Sequence, residues 1–149
     1  MAEQSRSVPS PEENLVSVIS WKGVAIGSLV ALGISMTLGN LTAGALQTNL
    51  GAQASMLFGA MFVGGLVAGK IAGRMGVIQG VAMAVIFIVI GALMKAYTEI
   101  DLATQFGPQV LGPMDMGGLI LGDLVYLGGG FMGGWLADTL GTRAQRTTR

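Results

Sequence analysis

Apolar and small residues run almost unbroken from about Gly23 to Leu46, Ala54 to Gly73, Gly76 to Tyr97 and Met114 to Asp138, and polar residues gather in the intervals. Crossing a hydrocarbon layer of roughly 30 Å takes ~20 helical residues, and each run is long enough to do so. The pattern therefore predicts an all-α integral membrane protein with four transmembrane helices. A short uncharged turn near Gln47 to Gln53 joins the first two runs, and the second and third nearly touch at Lys70 to Arg74. The third and fourth are separated by a polar loop, Thr98 to Pro113, that contains Glu99, Asp101, Pro108 and Pro113. The expected architecture is two glycine-rich hairpins.

Residues 1–22 form a polar lead-in. Ser10-Pro11-Glu12-Glu13 reads as an N-cap, a proline at the first helical position and a capping glutamate. Leu15, Val18, Ile19 and Lys22 then share a helical face with Trp21 beside them, which predicts a short interfacial helix or, equally, a solvated lead-in helix. The first span is too long, too glycine-rich and too late in the chain for a cleaved signal sequence, so it is expected to be retained. Residues 139–149 form a basic tail.

Basic residues set the expected orientation, because Lys and Arg near span ends stay on the cytoplasmic side. Arg6, Lys22, Lys70, Arg74, Arg143, Arg146 and Arg149 fall on one side and Lys95 alone near the other, with Glu99, Asp101 and Asp115. Both termini are expected in the cytoplasm, in a bacterial inner membrane.

The second and fourth spans align at an offset of 69 residues, placing Phe62-Val-Gly-Gly-Leu-Val-Ala68 over Phe131-Met-Gly-Gly-Trp-Leu-Ala137. Gly23 and Gly27 of the first span align with Gly76 and Gly80 of the third at an offset of 53. Since each hairpin starts and ends on the same side, the expected repeat is parallel, about an axis along the membrane normal. Chance alignment of glycine-rich helices is the alternative.

Composition narrows the chemistry. With 52% apolar residues, 11% charged and zero formal net charge, the 149-residue chain has no basic surplus to suggest a nucleic-acid partner. It has no Cys and no His, which excludes disulfides, thiolate or imidazole catalysis and Cys/His metal sites. No nucleophile stands with a base, and no phosphate loop or metal-ligand cluster is present. No cofactor is expected.

Glycine supplies 25 residues, most of them inside the spans. Gly65, Gly69 and Gly73 recur every fourth position, as do Gly118 and Gly122, Gly129 and Gly133, and Gly130 and Gly134. Such faces let helix backbones approach closely, whether the neighbour is another helix of this chain, another subunit or a lipid or pigment tail. Asp123 is the one acid well inside a span, and Lys95 is its nearest candidate cation. A carboxylate there costs about 2.5–3.5 kcal/mol on insertion scales, which makes it either half of a structural pair or a proton or cation site. Ser28, Ser35, Thr37, Asn40, Thr42 and Gln79 add polar groups suited to interhelical hydrogen bonds or a polar seam. The ten methionines suit gap filling on irregular apolar surfaces.

The segment Phe62-Val-Gly-Gly-Leu-Val-Ala-Gly-Lys-Ile-Ala-Gly-Arg74, followed by Gly76 to Gly80, resembles small glycine-rich four-helix membrane proteins of bacteria, a group without an established activity. In length, glycine content and a carboxylate in the last span, the chain is also similar to the doubled-hairpin proteolipid subunits of rotary ATPases, in which Asp123 would be the essential acid. It departs from them in the cytoplasmic termini expected here, in the shallower acid and in the basic turn at Lys70 to Arg74. The expected function is non-enzymatic: an accessory or scaffolding subunit that packs among lipids against other transmembrane subunits or itself. The alternatives are a small channel or ion-coupled element using Asp123, or a binder of lipid or pigment tails.

Overall fold

The computed structural model describes residues 19–42, 49–73, 75–107, 109, 111 and 115–147. Within them the chain forms four α-helices and no strand: α1 (Trp21–Thr42), α2 (Leu50–Ala72), α3 (Gly76–Phe106) and α4 (Met116–Thr147). Each contains a stretch long and apolar enough to cross a membrane, so the chain is a multi-pass helical membrane protein. The interfacial helix and capping sequence expected ahead of α1 lie almost wholly outside the described residues, and Trp21 belongs to α1 itself.

Local chemistry explains most helix ends. The Asn49 side chain caps α2, accepting from the amide of Ala52 at 3.2 Å. Gly73 ends α2 with φ +70°, its amide donating to the Gly69 carbonyl, and Met75 with φ +52° completes the sharp turn into α3. Asp115 caps α4 by accepting from the amide of Gly118 at 3.0 Å.

Helices α3 and α4 outrun their hydropathy. The polar loop expected from Thr98 is helical through Phe106, because residues 98–106 contain neither Gly nor Pro. Lys95 pairs with Glu99 at 4.0 Å and Gln105 donates to Asp101 at 3.0 Å, each one turn apart. Gly107 with φ +87° ends the helix. At 31 and 32 residues, α3 and α4 are each about 45–50 Å long at a rise of ~1.5 Å per residue, well beyond a hydrocarbon core.

Helix α2 is central and packs against α1, α3 and α4, whereas α1 and α4 make no close backbone contact among the described residues. The packing is uneven along the bundle. Every buried residue described lies within 23–31, 60–69, 76–84 or 129–137, the half where α1 and α3 begin and α2 and α4 finish. Met61 and Met83 fill this closed end among Val24, Ala31, Ala60, Ala68, Ala84 and Ala137. Toward the other end the helices part, and residues 89–98 of α3 are exposed on every side. In lipid an apolar helix loses little by this, since acyl chains solvate it as well as leucine would.

Candidate functional site

Backbone contact draws the closed end together. Gly27 and Gly64 oppose each other across α1 and α2, where a β-carbon on either would lie 2.6–2.7 Å from the other's carbonyl oxygen. A β-carbon on Gly65 would meet the Gly130 carbonyl at 2.7 Å, and one on Gly69 the Ala137 Cβ at 2.7 Å. On α4, Gly129 abuts Met61 and the Phe58 carbonyl, Gly133 the Phe62 carbonyl, Gly130 the Gly80 carbonyl and Gly134 the Gly76 carbonyl. Three glycines with the same spacing in sequence are placed differently. Gly73 is the exposed α2 cap, Gly122 meets nothing within 4 Å, and Gly118 meets only Asp115, its own helix cap.

Two polar side chains tie the helices that begin at this end. Gln79 on α3, fully buried, accepts at 2.9 Å from the amide of Ser20, the residue just before α1. Asp138 on α4 accepts from the amides of Gly76 and Val77 at 2.7 and 3.2 Å, so a neighbouring helix supplies the N-terminal cap that α3 lacks locally. Asp138 lies four residues past Gly134 on the face turned to α3. A lone acid continuing a Gly130-x-x-x-Gly134 row is a sequence signal for such a cap, and hydropathy alone reads it as the end of a span.

The open end holds a cleft of about 350 Å³ between α3 and α4. Phe87, Ile88, Gly91 and Ala92 line one wall and Leu119, Gly122 and Tyr126 the other, with Lys95 and Asp115 at the rim and Asp123 within. The rings of Phe87 and Tyr126 stand 6.2 Å apart. Asp123 is half-buried and makes no hydrogen bond or ion pair with another described residue. Lys95 is paired with Glu99 on its own helix.

Antiparallel register explains this arrangement. Gly76 lies against Gly134 and Gly80 against Gly130. Continued at equal rise, that pairing brings Phe87 level with Asp123 and Lys95 level with Asp115, about 12 Å farther along α3. Among the described residues no group of acids is arranged to hold a metal ion. Comparison with protein-family models, curated proteins and solved structures finds no match for this chain.

Proposed function

We propose that this chain is a non-enzymatic accessory or scaffolding subunit of a membrane assembly, with the closed end as its rigid base and the open end presenting helix faces to other transmembrane helices. The observation that carries this reading is the way glycine divides between the two ends. At the closed end the glycines within 23–27, 64–69, 76–80 and 129–134 lie against other helices of the chain, and Gly73 and Gly141, exposed toward the helix ends, do not. At the open end a β-carbon on Gly33 or Gly39 of α1 would meet nothing within 4 Å, and neither glycine lines the cleft between α3 and α4. A glycine inside a helix costs about 1 kcal/mol relative to alanine, and its usual return in a membrane is the close approach of another helix. On α1, Gly33 shares its face with Thr37 and Asn40, both exposed, a small and polar stripe suited to helix association rather than to acyl chains.

Basic residues support a cytoplasmic position for both termini and hence for the closed end, in a bacterial inner membrane. Both hairpins also seat a Gly-x-x-x-Gly at the start of their first helix: Gly23 and Gly27 against Ala68 and Gly64, Gly76 and Gly80 against Gly134 and Gly130. This supports descent from a duplicated hairpin, with the second hairpin slid by one helical turn relative to the sequence alignment.

Extraction from native membranes into nanodiscs, followed by mass measurement, tests the subunit reading. The expected species has a fixed stoichiometry larger than one chain, and a lone chain with lipid would refute it.

A further inference from the structure

The cleft between α3 and α4 combines three features that its walls do not use within the chain. Its lining is apolar apart from the rim and Asp123, its volume of about 350 Å³ suits a small organic molecule, and it contains a carboxylate without a hydrogen-bond or ion-pair partner among the described residues. Phe87 and Tyr126 add two aromatic rings at the depth of that carboxylate. Aromatic faces attract cations through their quadrupole, and the attraction is stronger where water is excluded. At the rim, Lys95 is offset by Glu99, which leaves Asp115 and Asp123 to set a negative field.

We infer that this cleft binds a lipophilic organic cation, an amine or quaternary onium carrying apolar groups, with Asp123 as counter-ion and the rings of Phe87 and Tyr126 against its charge. Depth decides the class. Asp123 is seven residues into α4 after Met116, about 10 Å below the start of the helix. A polar headgroup is suited to the charged rim at Lys95 and Asp115, and a hydrated metal ion would find Asp123 with Asp115 about 12 Å away along α4 and no group of three or more acids among the described residues. A cation that reaches Asp123 must itself be at home among Ile88, Ala92 and Leu119. This inference is independent of the subunit proposal, because the cleft is formed by one chain.

The test is equilibrium binding of tetraphenylphosphonium to the full chain in nanodiscs, with empty nanodiscs subtracted and neutral triphenylphosphine oxide as the uncharged comparison. Saturable binding of the cation is expected, with the neutral compound at least tenfold weaker. Asp123→Asn should weaken the cation at least tenfold, whereas Asp101→Asn, outside the cleft, should leave it unchanged. Gly91→Leu provides a second route should the Asp123 variant fold poorly. Gly91 lines the cleft and a β-carbon there meets nothing within 4 Å, so a leucine starts without a clash and should narrow the cleft and weaken binding at least tenfold. Absence of saturable binding to the unmodified chain, equal binding of the neutral compound, or unchanged affinity in a folded Asp123→Asn or Gly91→Leu variant would each overturn the assignment.

Discussion

At Gly133 the carbonyl of Phe62 and, 2.9 Å away, the amide of Leu66 occupy the space a β-carbon would need. Both are backbone atoms of α2, so no rotamer change can yield, and the helices must separate. Overpacking of this kind costs about 1–3 kcal/mol, more than the helix propensity that alanine brings. At Gly122, which meets nothing, the same methyl group has only propensity to contribute. Asp138 is the polar counterpart of Gly133. Without its carboxylate the amides of Gly76 and Val77 lose their acceptor at the start of α3, a loss of about 2 kcal/mol. Thermal unfolding in one detergent should therefore place Gly133→Ala and Asp138→Ala clearly below the unmodified chain and Gly122→Ala level with it or above. Equal melting of Gly133→Ala and Gly122→Ala would contradict the backbone contact at Gly133.

The four helices are legible in the sequence because an apolar run of ~20 residues admits few other structures. Their ends are less so. Hydropathy stops where polar residues appear, but a helix stops where its backbone is broken, and α3 continues through Glu99, Asp101 and Gln105 until Gly107. Glycine spacing has a similar limit. Gly118 and Gly122 are spaced like Gly129 and Gly133, yet only the second pair lies against a neighbouring helix, because the spacing defines a face and not where it points. Register, fixed at Gly76 and Gly80, explains why Lys95 borders the cleft at the level of Asp115 rather than of Asp123. The projecting end of α3 also reports orientation. With no native cysteine to interfere, Thr104→Cys should react with a membrane-impermeant thiol reagent in intact cells and Gln145→Cys only after permeabilisation. The opposite pattern would invert the proposed topology.

As a whole, the molecule is a bundle held at one end by close backbone contact and two polar anchors, the buried Gln79 and the half-buried Asp138, and parted at the other around an acidic cleft. The closed end has no surface left for a neighbour on its inner faces, since Met83 and Ala84 are wholly buried there. The open end has many, including Leu32 and Met36 on α1 and Val89 and Leu93 on α3. The claim that these faces meet other polypeptides is tested most directly by a photoreactive amino acid at Leu93, 66% exposed, with the same probe at the buried Ala84 as reference. Irradiation in native membranes should join Leu93 to one discrete second polypeptide, another copy of this chain or a different subunit, while the probe at Ala84 stays within its own chain. Adducts to lipid alone at Leu93 would contradict the account.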